Sequence, residues 1–225
     1  MSTGVTTIFF DGYETLFAGA MDKLHGLCGR IVREQELDMS AMDFFNTWDL
    51  SFFPLLWGET FYTMRQAHLI SLERTFEKLG RRVSFEHYVH GLFDVFADAP
   101  LYEDVKPALA GLESYRTGVI SNADEDHLNI ALRKNNLSFP VVVSSESARA
   151  YKPAPGIFHE ALRLIGSRPD ETLYVGDSQD DDIVGARRAG IKIAWLNRNG
   201  EALKPNIPQP DYEISSLQEV VGLAS

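Results

Sequence analysis

The chain has 225 residues, of which 44% are hydrophobic and 24% are charged, and its formal net charge is -11. These proportions are typical of a folded globular protein, and the length suits one domain that carries a sizeable insertion. The acidic balance argues against a nucleic-acid partner, because no excess of Lys and Arg is present to neutralise phosphates. The lone Cys28 cannot form an internal disulfide, which excludes a disulfide-stapled fold.

The chain also lacks the signals of membrane insertion and secretion. No run approaches the roughly 18 apolar residues of a spanning helix, and the first residues lack the basic region and small-residue cleavage site of a secretory signal. We therefore expect a cytoplasmic protein, a monomer or homodimer, that acts on a small molecule rather than at a membrane.

Five short runs rich in β-branched residues predict buried strands, and polar residues follow each run directly. The runs are residues 5–10, 117–120, 141–143, 173–175 and 191–196. Helical stretches at residues 124–135, 156–165 and 180–189 alternate with them, which predicts an α/β fold built on a Rossmann-like parallel sheet. Ligands of such sheets bind outside the carboxyl ends of the strands, so we expect the polar residues to face one crevice.

Residues 17–98 interrupt this alternation, because they are rich in aromatic residues, show no clear strand and look helical throughout. We expect a helical cap inserted after the first strand, with residues 1–16 and 99–225 forming the core. A lid in this place would lie over the crevice and choose the substrate. Trp48 and Trp57 are candidate substrate-binding residues, although both are equally plausible as packing inside the lid.

Asp11 is the candidate nucleophile, because it follows the first predicted strand directly. A carboxylate at the end of a buried strand costs free energy unless it is used, and in a water-poor crevice it can attack an electrophilic carbon or phosphorus. The alternative is that Asp11 only caps the following turn.

Two further strand ends carry polar groups suited to the same chemistry. Ser121 and Asn122 offer a hydroxyl and an amide to an oxyanion, although the pair is also common in turns. Lys152 precedes Pro153, which favours an extended backbone at the lysine and suits an ammonium pointed into a pocket.

An acidic run follows the fourth predicted strand and contains Asp177, Asp180, Asp181 and Asp182. These carboxylates repel one another, and a hard cation bound by oxygen ligands would relieve the repulsion. An acidic helix start favoured by the helix dipole is the alternative, and it explains Asp180 and Asp181 better than Asp177.

Taken in order, these four sites resemble the haloacid dehalogenase superfamily. The resemblance covers the core on both sides of the insertion, which itself matches only in position and helical character. It implies that Asp11 is the nucleophile, Thr15 its supporting hydroxyl, Ser121 an oxyanion-binding residue and Lys152 the lysine that balances charge.

The resemblance also implies a bound Mg²⁺, held by Asp11, Asp177 and the main-chain carbonyl of Tyr13. Asp182 belongs to the acidic fourth motif, although the sequence leaves open whether Asp181 or Asp182 is the second acidic residue of the metal site. Gly12 and Tyr13 are expected to contact the substrate.

Tyr13 departs from the phosphatase pattern of that superfamily. The phosphatases carry a second Asp two residues after the nucleophile, and losing such a general acid costs about 10²- to 10⁴-fold in rate. Tyr at this position resembles the dehalogenase branch, whose halide leaving group needs no proton. That branch, however, has no Mg²⁺ aspartate in the fourth motif and uses a lid arginine, which residues 44–58 lack.

We therefore expect a hydrolase that forms an ester on Asp11. A Mg²⁺-dependent phosphatase of a small phosphorylated metabolite is favoured. A dehalogenase-like hydrolase of a small 2-haloacid or related organic acid is the alternative, and a weakly active or non-catalytic binding protein is the second alternative.

Overall fold

The computed structural model describes residues 4–224 and is built on a central parallel β-sheet. The strands are β1 (Thr7–Phe10), β2 (Arg116–Ser121), β3 (Val141–Ser144), β4 (Thr172–Gly176), β5 (Lys192–Leu196) and β6 (Tyr212–Ile214). They lie in the order β3-β2-β1-β4-β5-β6, and each neighbouring pair is parallel. The predicted α/β class with a Rossmann-like parallel sheet is confirmed.

Helices fill the connections between the strands. Those between β1 and β2 are α1 (Ala20–Glu34), α2 (Ala41–Leu56), α3 (Met64–Lys78), α4 (Glu86–Ala97) and α5 (Val105–Ala110). Those that follow β2 are α6 (Glu125–Lys134), α7 (Ser145–Ala148), α8 (Pro155–Ile165), α9 (Val184–Arg188) and α10 (Val220–Ala224). We refer to α1 through α4 as the helical insertion. No helix in residues 4–224 is long and apolar enough to cross a membrane.

Both faces of the sheet are buried, which explains why three consecutive apolar residues, Ile8, Phe9 and Phe10, end β1. Ile8 and Phe10 point to one face, where they pack in a cluster with residues of α5 and α6. Phe9 points to the other face and packs with residues of α8. This alternation follows from the two-residue period of a strand.

The order in which strands are added to the sheet reverses at β1. From β1 the chain adds β2 and then β3 on one side, and it returns to place β4 on the other side of β1. Parallel sheets of this type bind ligands at such a switch point, outside the carboxyl ends of the strands. Asp11 occupies this position.

The helical insertion has its own hydrophobic core, and hydrogen bonds are among the contacts that join it to the rest of the protein. The carboxylate of Asp124 accepts hydrogen bonds from the backbone N–H groups of Met64 and Arg65, at 2.5 and 2.9 Å. These two N–H groups open α3, where a negative charge is favoured by the helix dipole. The Tyr151 hydroxyl also donates to the Tyr62 carbonyl at 2.8 Å, so the insertion is tied to two loops of the core.

Two features of the fold differ from the sequence prediction. The sheet gains β6 at its edge, a strand of three residues, which is too short to give a clear period-two pattern. The helix predicted at residues 180–189 begins instead as a π-helical turn, Gln179–Ile183, before continuing as α9. Turns of this kind are frequent at functional sites, and this one carries three of the acidic residues of the fourth motif.

Candidate active site

The loops that follow β1 and β4 and the loop before α8 meet around the ammonium group of Lys152. Its Nζ donates to Asp11 Oδ1 at 2.5 Å, to Asp182 Oδ1 at 2.7 Å and to the Tyr174 hydroxyl at 3.0 Å. Lys152 and Asp11 are only 3% and 6% exposed, and Asp182 is fully buried. The structure thus brings the predicted nucleophile and the predicted lysine into direct contact.

The electrostatics of this cluster are unbalanced, because one buried cation faces several buried carboxylates. Burial disfavours the charged lysine, but the carboxylates of Asp11 and Asp182 outweigh it and raise the pKa of Lys152 above its ordinary value. Burial raises the pKa of Asp11 to about 6, even though the ammonium of Lys152 lowers it. The pKa of Asp177 is raised well above its ordinary value by burial and by the carboxylates of Asp182 and Asp11.

The residues present fit a hard divalent cation. Asp11, Asp177 and Asp182 each offer a carboxylate oxygen, and these oxygens lie within 4.8 Å of one another. Thr15 Oγ1 donates to Asp177 Oδ1 at 2.9 Å and so orients that carboxylate. Within residues 4–224, the Tyr13 carbonyl oxygen accepts no hydrogen bond. Crowded carboxylates and a spare carbonyl are the oxygen donors that Mg²⁺ prefers.

The two candidate acidic residues of the fourth motif occupy different environments. Asp182 belongs to the carboxylate cluster, and its Oδ1 accepts from Lys152 and Tyr174 while its Oδ2 accepts from the Ser178 backbone N–H at 2.9 Å. Asp181 lies outside that cluster, where its Oδ2 accepts from Asn122 at 3.3 Å. Asp182 is therefore the acidic neighbour of Asp11, and its oxygens are already engaged by hydrogen-bond donors.

Asn122 has a different position from the one predicted. Its Oδ1 accepts from the Lys152 backbone N–H at 2.8 Å, and its Nδ2 donates to the Lys152 carbonyl at 3.2 Å. The amide therefore fixes the backbone of residues 149–154, the loop that carries Lys152, which we call the lysine loop. This placement does not support the predicted contact of the Asn122 amide with an oxyanion, because both ends of the amide are occupied.

Gly12 and Ser121 lie against each other beside the nucleophile. A Cβ atom at position 12 would lie 2.8 Å from Ser121 Oγ, so a residue with a side chain would require Ser121 to move. The Gly12 carbonyl accepts from the backbone N–H groups of Leu16 and Phe17 at 2.8 and 2.9 Å, which closes the loop after β1. The Ser121 hydroxyl thus lies next to the backbone that follows Asp11.

Tyr13 is wedged between the core and the helical insertion. Its ring packs against those of Phe17, Phe96 and His127, with centroid distances of 5.4, 5.5 and 5.8 Å. Its hydroxyl donates to the Phe96 carbonyl at 3.2 Å, and burial raises the pKa of the phenol far above its ordinary value. Tyr13 is therefore poorly suited to deliver a proton to a leaving group.

The carboxylate of Glu14, the residue after Tyr13, is engaged by two hydrogen-bond donors. Its backbone adopts a φ of 65°, and its carboxylate accepts from the Met21 backbone N–H at 2.9 Å and from the Tyr102 hydroxyl at 2.7 Å. These contacts direct the side chain towards α1.

Tyr174 is a site residue that the sequence prediction missed. It lies on β4, and its fully buried hydroxyl is within 2.9 Å of Asp182 Oδ1 and 3.2 Å of the Ile120 carbonyl. A signal was available, because a tyrosine inside a buried strand needs a partner for its hydroxyl.

The two tryptophans predicted to bind substrate lie in different surroundings. Trp48 is 3% exposed in the core of the insertion, where its Nε1 donates to Ser71 Oγ at 2.7 Å. This placement favours the lid-packing interpretation that the sequence had left open. Trp57 is 69% exposed and lines a groove between the insertion and the lysine loop.

Comparison of the sequence with models of known families identifies the family of this chain. Residues 5–190 match the model of the haloacid dehalogenase-like hydrolases, and the chain belongs to that family. The assignment confirms the resemblance inferred from the four motifs.

Proteins similar in sequence include two that are named as phosphatases. The chain is 35% identical to human N-acylneuraminate-9-phosphatase over 127 residues, which cover 55% of this chain and 51% of that protein. It is 27% identical to the pyrophosphatase PpaX of Bacillus cereus (strain AH820) over 168 residues, which cover 69% of this chain and 76% of that protein. The chain thus spans about half the length of the first of these relatives.

A solved structure of L-2-haloacid dehalogenase from Xanthobacter autotrophicus matches this fold with a TM-score of 0.77 and 19% identity. The match covers 97% of this chain and 98% of the other. At this identity the likeness concerns the fold alone.

The environment of Asp181 predicts a specific pH dependence of stability. Burial raises the pKa of Asp181 to about 7, whereas an unfolded aspartate titrates near about 3.9. Between these values the native state holds a proton that the unfolded state has lost, so this contribution to stability is lost as the pH rises from about 4 to about 7.

Asp181→Asn removes the titration and keeps an oxygen that can accept from Asn122. Relative to wild type, the variant should become more stable by at least about 1 kcal/mol as the pH rises from 4 to 8. Urea denaturation at several pH values measures this difference. A difference that stays constant with pH would contradict the raised pKa.

Proposed function

We propose that this protein is a Mg²⁺-dependent phosphatase of a small phosphorylated metabolite, working through an aspartyl ester on Asp11. The observation that carries the proposal is the buried Asp11 carboxylate, held by Lys152 at 2.5 Å and grouped with Asp177. The phosphatase names of curated relatives support the same chemistry.

Each side chain would have a defined task in this reaction. Asp11 attacks phosphorus, the bond from phosphorus to the leaving oxygen breaks, and water then hydrolyses the aspartyl phosphate. Lys152 holds the attacking carboxylate in place, and the Ser121 hydroxyl lies where it can donate to a transferring oxygen. Mg²⁺ held by Asp11, Asp177 and the Tyr13 carbonyl would neutralise charge on the phosphoryl group.

Proton transfer is the step for which the site is poorly equipped. The position two residues after Asp11 holds Tyr13, whose hydroxyl is turned to the Phe96 carbonyl. Phosphoryl transfer depends mainly on positioning and electrostatics, so esters with good leaving groups can still react. We therefore propose that aryl phosphates are better substrates than alkyl phosphates.

The surroundings of Tyr13 favour one alternative function. A halide leaves without a proton, so a dehalogenase-like reaction on a small 2-haloacid needs no acid at position 13. The carboxylate group of Asp177 argues against this alternative, because it adds negative charge beside a nucleophile that would attack an organic anion.

The first prediction concerns the nucleophile. A screen of phosphorylated metabolites, aryl phosphates and 2-haloacids, with and without Mg²⁺, should find phosphate release that requires Mg²⁺. Asp11→Asn should lower that rate by about 10³-fold or more, since it removes the attacking oxygen while keeping the shape of the side chain. Halide release, or unchanged activity in the variant, would contradict the proposal. Ligand binding without turnover would favour a non-catalytic protein.

The second prediction concerns the cation. Mg²⁺ that binds only the native state raises the unfolding temperature by mass action. Asp177→Ala should abolish this rise, because it removes a ligand oxygen. Asp180→Ala, which removes an exposed carboxylate paired with Lys204, should keep it. Differential scanning calorimetry over a Mg²⁺ titration measures the effect, and an equal response in both variants would remove Asp177 from the site.

The third prediction concerns Tyr13. Tyr13→Asp should raise the hydrolysis of alkyl phosphates by about 10²-fold and that of aryl phosphates by less, because a carboxyl group there can protonate the leaving oxygen. Tyr13→Ala controls for the wider pocket, and Tyr13→Phe controls for the lost hydrogen bond to Phe96. Steady-state rates at saturating Mg²⁺ give the comparison. If Tyr13→Asp and Tyr13→Ala hydrolyse alkyl phosphates equally, the phosphatase proposal fails.

A further inference from the structure

Asp124 lies at the N-cap position of α6, but its side chain does not cap that helix. Other carboxylates take over this task. Glu146 Oε2 accepts from the Glu125 backbone N–H at 2.8 Å. Asp126 Oδ1 accepts from the His127 backbone N–H at 2.6 Å. The carboxylate of Asp124 therefore remains available for a contact outside its own helix.

That contact is with the first turn of α3, in the helical insertion. The two carboxylate oxygens of Asp124 accept from the backbone N–H groups of Met64 and Arg65, at 2.5 and 2.9 Å. Thr63 and Gln66 form a capping box at the same helix end, which satisfies the N–H groups of these two residues. Asp124 thus supplies the acceptors that the insertion itself does not provide for α3.

Two other polar contacts join the insertion to this region of the core, and both are weaker. The ion pair of Arg65 with Asp126 is partly solvated, since 29% and 61% of the two side chains are exposed, and such pairs contribute little. The hydrogen bond from Tyr151 to the Tyr62 carbonyl joins neutral groups. Asp124 is 4% exposed and makes two hydrogen bonds with a charged acceptor, which are stronger than neutral ones.

Two adjacent chain segments join the helical insertion to the core. The Ala18 backbone N–H donates to the Pro100 carbonyl at 2.8 Å, and Phe17 forms an antiparallel bridge with Leu101. Gly19 then precedes α1 with a φ of 79°, a left-handed conformation suited to glycine. Because the insertion has its own hydrophobic core, a rotation about these segments would move it as a unit.

The candidate active site is closed in this arrangement. Asp11, Ser121 and Lys152 are only 6%, 2% and 3% exposed, so a phosphate ester needs a rearrangement before it can contact them. Asp124 follows Ser121 by three residues, and it belongs to the segment that connects β2 with α6. The contact that holds α3 is therefore made by the same loop that carries a residue of the candidate site.

We infer that Asp124 is a latch, which holds the helical insertion closed and whose release gives a substrate access to Asp11. The two hydrogen bonds to α3 are the contact that breaks. Opening moves the carboxylate of Asp124 into water, so no buried charge is left without a partner and the contact can form again. The inference concerns the movement of the insertion and holds for any substrate of this site.

Distances between the insertion and the core test the latch. Spin labels are attached to cysteines introduced at Glu73 on α3 and Glu113 in the core, both of which are exposed, and pulsed double electron–electron resonance gives the distance distribution. Cys28 is buried, and the unsubstituted protein gives its background labelling. Asp124→Ala should raise the open population by about tenfold, because it removes both acceptors. Asp124→Asn keeps one acceptor oxygen and should have a smaller effect.

Met64→Pro breaks the same contact from the side of the insertion. Met64 is the first residue of α3, where proline is tolerated because this N–H has no partner within the helix. Thr63 already has the extended backbone that a following proline favours, with φ of -67° and ψ of 163°. The substitution removes a donor to Asp124, so it should raise the open population as Asp124→Ala does. Met64→Ala keeps the N–H and controls for the lost side chain.

Glu125→Ala is the matched control for charge, because Glu125 is exposed and its side chain forms no ion pair within residues 4–224. The combined variant Asp124→Ala/Met64→Pro should open no further than either single variant, since both break one contact. The inference is overturned if the effects add, if only one of the two variants opens, or if Glu125→Ala or Met64→Ala opens equally. Wild-type distances in both variants would also overturn it and assign closure to the packing of Phe93 on His127.

A thiol at the candidate site tests the access that the latch controls. Ser121→Cys introduces a thiol at a buried position, and its rate of reaction with methyl methanethiosulfonate reports how often the site opens. Adding Met64→Pro should raise this rate by about tenfold, whereas adding Met64→Ala should leave it unchanged. An equal rate with and without Met64→Pro would overturn the inference. Neither measurement requires turnover, so failure of the latch and failure of the proposed phosphatase function are distinguishable.

Discussion

The buried ammonium group of Lys152 sets the geometry of the whole site. A charge removed from water is tolerated only where opposite charges and hydrogen bonds surround it, and Lys152 finds these in Asp11, Asp182 and Tyr174. Its backbone is fixed in turn by hydrogen bonds to Asn122, which directly follows β2. Three loops that are distant in sequence are thereby locked around one atom at the switch point of the sheet.

The excess of negative charge in this cluster affects both the stability of the fold and the chemistry of the site. One lysine cannot neutralise Asp11, Asp177 and Asp182 together, so burial leaves the pKa values of Asp11 and Asp177 raised. Such a cluster weakens the folded state unless a cation enters it, and perturbed carboxylates in a crevice are typical of functional sites. The same excess of negative charge that costs stability would favour the binding of a divalent cation.

The sequence allowed the sheet and the main site residues to be predicted because their signals are local. Buried strands of a parallel sheet are short apolar runs, and the residues at their ends face one crevice whatever the loops between them do. Asp11 follows from this rule, and the structure places its carboxylate 2.5 Å from the ammonium group of Lys152. The predicted positions of β1 and β5 are also close to the observed ones.

The contacts that were not predicted connect residues without a local pattern. Nothing near Asn122 indicates that its amide binds a backbone 30 residues away. The π-helical turn at Gln179–Ile183 has the composition of an ordinary acidic helix start, so its extra residue is visible only in the structure. Trp48 could be assigned to the core of the insertion only once α3 supplied Ser71 as the partner of its indole N–H.

Tyr13 occupies the position at which the phosphatases of the family carry a general acid, and it also contacts the helical insertion. Its ring and hydroxyl contact Phe96 at the end of α4, and its ring also contacts His127 on α6. An aspartate at position 13 would make none of these ring contacts, so the residue that stands in place of the general acid also forms the aromatic link between the nucleophile loop and α4. The position of α4 and the conformation of that loop are thereby coupled. A movement of the insertion would therefore change the contacts that Tyr13 makes with Phe96.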